Sequence, residues 1–209
     1  MLDPRRLRLY LCTDRILALG RSLEEAVEAA IAGGVTMVQL REKDASSREF
    51  YEIACAVRRI TEARRAPLVI NDRLDIALAV GAAGLHIGQS DLPLEAARKI
   101  AGNRLFIGVS AGTVEEALSA QAGGADYLGV GAVFPTGSKV DAGDAIGIER
   151  LAAICSAVDI PVVGIGGIGP QNAEAVIKAG AAGIAVISAI LSQPDIQAAA
   201  EQLRQCVVC

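Results

Sequence analysis

The chain has 209 residues, of which 52% are hydrophobic and only 3% are aromatic, and its formal net charge is −4. A chain of this length and apolar content can form one or two ordinary domains whose core consists of small aliphatic side chains. The acidic balance excludes a general nucleic-acid-binding or membrane-surface protein, because both depend on a basic surface. We therefore expect small-molecule substrates and local anion-binding sites.

The chain ends and the cysteines favour a cytoplasmic protein. No apolar run is long enough for a transmembrane helix, and the Met1–Arg6 segment is not followed by the apolar stretch of a signal peptide. Five cysteines form no disulfide framework in a chain of this size. The spacing of Cys206 and Cys209 resembles half of a metal or redox motif. Since no second pair exists, we expect no functional role for it.

Apolar runs alternate with amphipathic stretches along the chain. The predicted strands are residues 6–14, 35–42, 67–72, 84–88, 105–110, 127–134, 161–165 and 183–187. The predicted helices are residues 22–32, 46–64, 74–80, 93–100, 113–122, 148–157, 170–179 and 189–206. Most of the strands are nearly continuous apolar runs, which is typical of parallel strands buried on both faces. Glycine-rich helix ends recur and indicate one repeated unit rather than two linked domains.

Eight strands alternating with eight helices predict a (β/α)₈ TIM barrel in which residues 1–209 form a single domain. A doubly wound open sheet explains the alternation equally well and is the alternative fold. It does not explain the count of eight or the phosphate-binding signals after the last two strands. In a TIM barrel the active site lies at the C-terminal ends of the strands, where we expect the functional residues.

The second strand ends in the polar segment Gln39–Lys43. Alternate side chains of a strand share a face, so Gln39, Arg41 and Lys43 are predicted to point the same way. Two cations and an amide at the end of a buried strand are costly unless they meet an anion. Lys139, in the loop after the sixth strand, adds a third cation. Three cations favour a diphosphate over a monophosphate.

Asp72 and Asp91 follow the third and fourth strands and would repel a bare phosphate. They become favourable if a divalent cation bridges them to the phosphate, as Mg²⁺ does with one or two carboxylates and phosphate oxygens. The sequence therefore predicts an Mg²⁺ site at Asp72 and Asp91, where departure of diphosphate would be assisted. Glu42 alternates away from this face, and we expect it to have a partner on the helix side of the strand rather than to contact substrate.

A second anion site is predicted after the seventh and eighth strands. The glycine turn Gly164–Gly167 follows the seventh strand, and Ser188 precedes the last helix. Many TIM barrels bind phosphate at this place through backbone N–H groups and a helix N-terminus. The two ends of the chain therefore predict two separate anion sites.

Each of these residues also has a purely structural interpretation. Arg41 could pair with Asp72 at the mouth of the barrel, Asp72 could cap the next helix, and Gly164–Gly167 could serve close packing alone. His86 is the only histidine and lies inside the fourth strand. For His86 we favour a hydrogen-bonded structural role over a general base. Polar residues of the kinds needed for this chemistry occur at the C-terminal ends of six predicted strands, and this agreement favours the functional interpretation.

Seven segments, taken in order, resemble the thiamine-phosphate synthase family. They are Gln39–Lys43, Asn71–Asp72, His86–Asp91, Gly108–Ser110, Phe134–Lys139, Gly166–Ile168 and Ile187–Ser188, and the resemblance runs from about Leu9 to Ile190. The resemblance implies an enzyme that joins a hydroxymethylpyrimidine diphosphate to a thiazole phosphate and releases diphosphate. It also implies a dissociative reaction, in which the thiazole nitrogen captures a pyrimidine-stabilised methyl cation.

The resemblance further implies the site residues. The pyrimidine diphosphate would contact Gln39, Arg41, Lys43, Asn71, Ser110 and Lys139, the thiazole phosphate would contact Thr136, Ser138, Gly166, Gly167, Ile187 and Ser188, and Asp72 and Asp91 would hold Mg²⁺. We expect Arg41, Ser110 and Lys139 to be the catalytic residues. In two places the chain departs from the family: Ser138 stands where threonine is usual, and no histidine lies near Ser110.

Three rival functions remain open on the sequence. A related thiazole tautomerase binds thiazole phosphate and needs no diphosphate site, so the presence of Arg41, Lys43, Asp72, Asp91 and Lys139 argues against it. A non-catalytic barrel that binds phosphate ligands and an unrelated barrel isomerase are the other two. The sequence does not decide whether the protein is an oligomer.

Overall fold

Eight parallel strands close into a barrel in the order β1-β2-β3-β4-β5-β6-β7-β8 in the computed structural model, which describes residues 2–138 and 144–207. The strands are β1 Leu9–Cys12, β2 Met37–Leu40, β3 Leu68–Asn71, β4 Gly84–Ile87, β5 Phe106–Ala111, β6 Tyr127–Val130, β7 Val162–Ile165 and β8 Gly183–Val186. The barrel closes where β8 pairs with β1 and Leu9 lies opposite Ile184. The predicted (β/α)₈ barrel is confirmed, and the open-sheet alternative is wrong because β1 and β8 pair with each other.

Helices follow the strands and form the outer layer. They are α1 Leu23–Ala32, α2 Ser47–Ala63, α3 Leu74–Val80, α4 Leu94–Ala101, α5 Val114–Ala122, α6 Gly147–Ala157, α7 Ala173–Lys178, α8 Ser188–Leu191 and α9 Ile196–Val207. A short 3₁₀ helix, Pro4–Leu7, precedes β1. Within residues 2–138 and 144–207, no helix combines the length and apolar character needed to cross a membrane. Cys209, one half of the C-terminal cysteine pair, lies outside the described residues.

Local sequence determines where several helices begin. Ser22, Ser46 and Thr113 each accept a hydrogen bond through the side-chain oxygen from the N–H of the glutamate three residues later. This contact satisfies one of the N–H groups that the first helical turn leaves without a partner. The glutamates also lie in the first turn, where a negative charge interacts favourably with the helix dipole. Helix starts near Ser22 and Ser46 were predicted and are confirmed.

The helix predicted at 189–206 is in fact two helices. α8 ends at Leu191 and α9 begins at Ile196. Pro194 causes the break, because it lacks an N–H and disfavours a helical conformation of the preceding residue. Asp195 then starts α9, and its Oδ1 accepts the N–H of Ala198 at 2.9 Å. The prediction overlooked a proline that ends one helix and allows the next to begin.

The strand predicted at 127–134 ends at Val130. Beyond it, Val133 and Phe134 donate their N–H groups to the carbonyls of Ile165 and Gly166, at 2.8 and 3.0 Å. These bonds lie beyond the β6–β7 ladder, whose last paired position joins Val130 to Gly164. The segment was predicted as strand because it is apolar, but its backbone instead covers the turn after β7.

The strands predicted at 6–14 and 35–42 are shorter than expected. Asp3 accepts the N–H of Arg5 and starts the 3₁₀ helix Pro4–Leu7, so β1 begins only at Leu9. β2 ends at Leu40, which places residues 41–43 in the loop that follows it. The cations of that loop are therefore less constrained by strand alternation than the sequence predicts.

Two layers of buried side chains form the core. Between the strands and the helices lie aliphatic side chains such as Val27, Leu40 and Val57, which are fully buried. Inside the barrel are Tyr10 and Tyr127, whose rings meet edge to face with centroids 6.1 Å apart. Aromatic pairs favour this geometry. The interior is a packed layer, as in other TIM barrels, and the large cavity lies above it at the strand ends.

Ion pairs behind the rim hold the loop after β2. Arg15, in the loop after β1, pairs with Glu42 at 2.8 Å and with Glu49 of α2 at 3.0 Å. Thr13 contributes a further contact, since its Oγ1 accepts the N–H of Arg41 at 3.1 Å. Burial raises the pKa of the Glu42 carboxyl above its ordinary value, and Arg15 only partly offsets this effect. The partner of Glu42 is thus a loop arginine that also contacts α2, and Glu42 is not among the residues that line the cavity at the strand ends.

Glu42→Gln is expected to change how stability depends on pH. The raised pKa means that the folded protein holds the Glu42 proton more tightly than the unfolded chain does. The stability that Glu42 contributes is therefore fully present below its ordinary pKa of 4.5, and it is lost as pH rises through the pKa of the folded state. The wild-type free energy of unfolding minus that of the variant should therefore fall as pH increases. Urea unfolding at a series of pH values measures this difference.

Glu174→Gln provides a control of opposite sign. A hydrogen bond from Lys178 lowers the pKa of the exposed Glu174 carboxyl, so the same difference should rise with pH, and only slightly because the pair is solvated. A wild-type-minus-variant difference that rises with pH for Glu42→Gln would contradict the dominance of burial at Glu42.

Candidate active site

A cavity of about 1250 Å³ opens at the C-terminal ends of the strands. It is lined by the predicted site residues Arg41, Lys43, Asn71, Asp72, Asp91, Ser110, Thr136, Ser138, Gly166, Gly167, Ile187 and Ser188. Sites for single small ligands usually enclose roughly 300–1,000 Å³. The cavity therefore has room for two small substrates side by side, and it brings together residues from both ends of the chain.

Gln39 and Lys139 are the two predicted site residues that this list does not include, for different reasons. Gln39 is 2% exposed, and its Nε2 donates to the hydroxyl of Tyr10 at 2.9 Å, so it lies below the mouth of the barrel. Lys139 lies outside the described residues. The shared face predicted for Gln39, Arg41 and Lys43 is divided between two depths, because β2 ends at Leu40 and the loop beyond it leaves the strand direction.

Asp72 and Asp91 meet at one corner of the cavity. Asp72 Oδ2 lies 2.6 Å from Lys43 Nζ, and Asp91 Oδ2 accepts the N–H of Gly88 at 2.7 Å. Burial raises the pKa of the Asp72 carboxyl, a hydrogen bond with Asp91 raises it further, and Lys43 opposes both effects. The structural pairing considered for Asp72 was with Arg41, whereas the observed partner is Lys43.

The backbone of Asp72 is in the left-handed region, with φ of 62°. Few residues other than glycine adopt this conformation, and such strain is often found at functional sites. The N–H of Asp72 donates to the carbonyl of His86 at 2.8 Å, which ties the turn to β4. α3 begins after Arg73 without a side-chain capping bond, so the interpretation of Asp72 as a helix cap is wrong.

The acidic corner suits a hard cation that shares its ligands with a phosphate. Among the described residues, no cluster of three or more histidine, cysteine or acidic side chains could enclose a metal ion. A structural zinc ion needs such a closed set of ligands. Magnesium instead keeps several waters and binds through one or two carboxylates plus substrate phosphates. Two adjacent carboxylates that face an open cavity fit the second pattern.

The glycine turn after β7 forms another wall. Gly166 and Gly167 have φ of 97° and 64°, which side chains rarely tolerate. A Cβ on Gly166 would lie 2.6 Å from Ala132 Cα, and a Cβ on Gly167 would lie 2.6 Å from the carbonyl oxygen of Pro135. The turn packs directly against the loop after β6, so these glycines serve close packing and also line the cavity.

Hydroxyl groups converge beside this turn. Ser138 Oγ, from the loop after β6, lies 2.9 Å from Ser188 Oγ, from the start of α8. The N–H of Ser138 donates to Thr136 Oγ1 at 3.2 Å. Three hydroxyls and the turn backbone thus form a neutral polar surface of the kind that binds a phosphate without a metal.

His86 and Ser110 form the floor of the cavity. Nε2 of His86 lies 3.0 Å from Ser110 Oγ, and Nδ1 lies 3.0 Å from the hydroxyl of Tyr127. Both ring nitrogens therefore have protein partners, as expected for the hydrogen-bonded structural role that the sequence favoured. Asn71, on the neighbouring strand β3, is 8% exposed and lies at the same rim.

Sequence reasoning missed several residues around this floor. Gln89 Nε2 donates to the carbonyl of Ser110 at 2.6 Å, and Glu116 Oε2 accepts the N–H of Gly112 at 2.7 Å. Tyr10 and Tyr127 were also missed, although a tyrosine inside an otherwise aliphatic strand is a visible signal. Period-two alternation places both tyrosines on the inward face.

Comparison with known proteins agrees with this geometry. A profile of the thiamine monophosphate synthase family matches residues 9–190. The thiamine-phosphate synthase of Ruminiclostridium cellulolyticum is 58% identical over 200 residues, covering 96% of this chain and 95% of that protein. The thiamine-phosphate synthase of Moorella thermoacetica is 55% identical over 199 residues, covering 95% of each. A solved thiamine phosphate pyrophosphorylase from Pyrococcus furiosus has a TM-score of 0.91 at 47% identity, covering 98% of this chain and 96% of that one.

More distant solved structures share the fold alone. The (S)-3-O-geranylgeranylglyceryl phosphate synthase from Thermoplasma acidophilum has a TM-score of 0.70 at 17% identity and covers 96% of this chain and 92% of that one. The profile match and the high identities over nearly the full length carry more information than this shared fold. They show that the chain belongs to the thiamine monophosphate synthase family.

Proposed function

We propose that this protein is a thiamine-phosphate synthase, a transferase that depends on Mg²⁺. It joins 4-amino-2-methyl-5-hydroxymethylpyrimidine diphosphate to hydroxyethylthiazole phosphate and releases diphosphate. The observation that carries the proposal is one cavity whose two walls differ in chemistry. One wall combines cations with carboxylates, and the other combines a glycine turn with hydroxyls. Two anionic substrates that must react with each other require this arrangement.

The charged wall binds the diphosphate. Arg41 and Lys43 line it, and by resemblance Lys139 completes the set. A guanidinium group can bind phosphate oxygens through two parallel hydrogen bonds, which orients as well as holds the group. Lys43 is in contact with Asp72 before substrate arrives. The diphosphate therefore enters a site whose lysine is already held in place by an acidic partner.

Asp72 and Asp91 would hold the Mg²⁺ ion. When bound with the diphosphate, Mg²⁺ neutralises the negative charge of the leaving group. Burial and the neighbouring Asp91 raise the pKa of the half-buried Asp72 carboxyl more than Lys43 lowers it, so the pair of carboxylates is unfavourable without a metal ion. Two carboxylates that repel each other are stabilised more by a divalent cation than by a neutral ligand.

The reaction breaks the bond between the pyrimidine methylene carbon and the diphosphate oxygen. Both electrons leave with the diphosphate, and the methylene carbon becomes a cation stabilised by the pyrimidine ring. The thiazole nitrogen then donates its lone pair and forms the new carbon–nitrogen bond. Arg41 and Lys43 stabilise the charge that grows on the leaving group. Ser138 and Ser188 hold the thiazole phosphate, so that the nitrogen faces the cation.

An assay of the purified protein with both phosphorylated substrates and MgCl₂ tests this function. Thiamine phosphate and diphosphate should appear in equal amounts, and product should require both substrates. Absence of product with every divalent metal would remove the synthase and leave a non-catalytic phosphate-binding barrel or a thiazole tautomerase. The tautomerase alternative gives no role to the corner formed by Lys43, Asp72 and Asp91.

Loss of a cation from the charged wall is expected to slow turnover strongly. Arg41→Ala and Lys139→Ala should each lower kcat/KM at least ~10²-fold, since removal of one electrostatic stabiliser typically costs this much. Steady-state kinetics with the pyrimidine diphosphate as varied substrate measures the loss. Arg48→Ala and Lys99→Ala, at exposed positions on α2 and α4, are matched controls that should retain wild-type rates. Equal rates in all four variants would contradict the assignment.

Asp72→Asn is expected to separate stability from activity. Because the folded pKa of Asp72 is raised, its ionised form disfavours folding above the ordinary pKa of 3.8. Asparagine removes this charge and tolerates the left-handed backbone. Tm without metal should therefore be unchanged or higher. Changes near a metal typically cost roughly 10–100-fold in affinity, so the Mg²⁺ concentration at half-maximal rate should rise at least that far.

Two further variants complete this experiment. Asp91→Asn should show the same loss of Mg²⁺ response, whereas Asp75→Asn should show none. Asp75 lies on α3 and its carboxylate pairs with Arg73 rather than facing the acidic corner. A wild-type dependence of rate on Mg²⁺ in Asp72→Asn or Asp91→Asn would refute the metal assignment.

A further inference from the structure

Five side chains form a continuous hydrogen-bonded network inside the barrel, below the cavity. Gln39 Nε2 donates to the hydroxyl of Tyr10 at 2.9 Å, and that hydroxyl lies 3.0 Å from the hydroxyl of Tyr127. The Tyr127 hydroxyl lies 3.0 Å from His86 Nδ1, and His86 Nε2 lies 3.0 Å from Ser110 Oγ. These five residues are termed the interior network. Only its last member, Ser110, is more than 8% exposed.

The network has a direction. The carboxamide N–H of Gln39 donates to the Tyr10 hydroxyl, which leaves the proton of Tyr10 available for the Tyr127 hydroxyl. The Tyr127 hydroxyl accepts that bond and offers its proton to His86 Nδ1. Burial raises the pKa of both phenols, so each keeps the one proton that this sequence of bonds requires. With the bonds in this direction His86 Nδ1 is the acceptor, and the ring proton lies on Nε2.

Two glycines make room for the network. A Cβ on Gly108 would lie 2.0 Å from Tyr127 Cζ, and a Cβ on Gly129 would lie 2.9 Å from His86 Cε1. Neither glycine has a positive φ, so each provides space rather than an unusual backbone conformation. Burying hydroxyls in an aliphatic interior is costly unless every one of them is bonded. The barrel thus accommodates a polar network where aliphatic side chains would pack more simply.

We propose that the interior network fixes His86 as the neutral Nε2–H tautomer and thereby makes Ser110 a hydrogen-bond donor to the pyrimidine diphosphate. Ser110 Oγ accepts the bond from His86, so its own proton is directed into the cavity that it lines. The substrate atom that meets it must carry a lone pair. This step rests on the proposed synthase function. Tyr10 and Tyr127 are positioning residues, because they act through His86 and do not reach the substrate.

The neutral tautomer also suits the reaction. A cation develops on the pyrimidine methylene group when diphosphate leaves, and an imidazolium ion next to the floor would disfavour it. The Tyr127 hydroxyl donates to Nδ1 rather than accepting from it, and this keeps the imidazole neutral. Orientation of Ser110 and absence of positive charge are two consequences of one arrangement.

NMR of the imidazole nitrogens tests the tautomer directly. His86 is the only histidine of the chain, so ¹⁵N-labelled histidine gives a single ring to assign. In the wild-type protein at neutral pH, Nε2 should have the shift of a protonated nitrogen and Nδ1 that of an unprotonated one. An Nδ1–H tautomer, an imidazolium ion or two averaged shifts would overturn the proposal. Because turnover is not involved, this result is independent of whether the synthase function holds.

Tyr127→Phe removes the donor to Nδ1 and keeps the ring. The two ¹⁵N shifts should move towards each other as the tautomers interconvert. Loss of one buried hydrogen bond is worth roughly 1 kcal/mol, so kcat/KM for the pyrimidine diphosphate should fall roughly 5-fold, with the KM for thiazole phosphate unchanged. Wild-type shifts in Tyr127→Phe, or equal losses for both substrates, would contradict the positioning role.

Two other tyrosine variants make this experiment decisive. Tyr10 lies one hydrogen bond further from His86, so Tyr10→Phe should move the two ¹⁵N shifts less than Tyr127→Phe does. It also serves in place of Tyr127→Phe if that variant does not fold. Tyr51→Phe removes the third tyrosine hydroxyl of the chain, on the exposed surface of α2. It should leave both the ¹⁵N shifts and the kinetics at wild-type values. A Tyr51→Phe effect equal to that of Tyr127→Phe would refute the network.

Discussion

Pairing of β8 with β1 is the contact on which the active site depends. Closure requires β8 to approach the start of the chain very closely, because a Cβ on Gly183 would lie 1.9 Å from the carbonyl oxygen of Leu7. Only glycine permits that approach. Once the barrel is closed, the C-terminal ends of all eight strands meet at one rim. Lys43 and Ser188, far apart in sequence, then line the same cavity.

The rim concentrates unfavourable groups that the rest of the barrel stabilises. Asp72 combines a left-handed backbone with a half-buried carboxylate next to Asp91. Glu42 is almost fully buried behind the rim, and its pair with Arg15 holds the loop that carries Arg41. The fold tolerates this strain and this unbalanced charge because strand pairing and the burial of aliphatic side chains contribute much more to the free energy of unfolding. Under the proposed function, a divalent cation and the substrate phosphates would offset this imbalance at the rim.

Sequence patterns predicted the barrel because its causes are local and repeated. Apolar runs recur in every unit, and helix caps such as Ser22 and glycine-rich helix ends recur in several of them. The predictions failed where a tertiary contact or a single helix-breaking residue decides the structure. After Val130 the chain leaves β6 and covers the turn after β7. Pro194 divides the last predicted helix into two. The cavity lining was largely predicted from strand ends. The depth of Gln39 was not, because alternation gives the face of a side chain but not its height in the barrel.

The barrel core and the floor of the active site are the same layer of side chains. Tyr10, Gln39 and Tyr127 fill the interior as packing residues, yet each hydroxyl or amide is also part of the network that ends at Ser110. A core built only for stability would tolerate aliphatic replacements of similar volume. Here such a replacement would leave buried donors without acceptors and free the His86 tautomer. The chemistry at the mouth therefore constrains the residues that can pack the centre of the barrel.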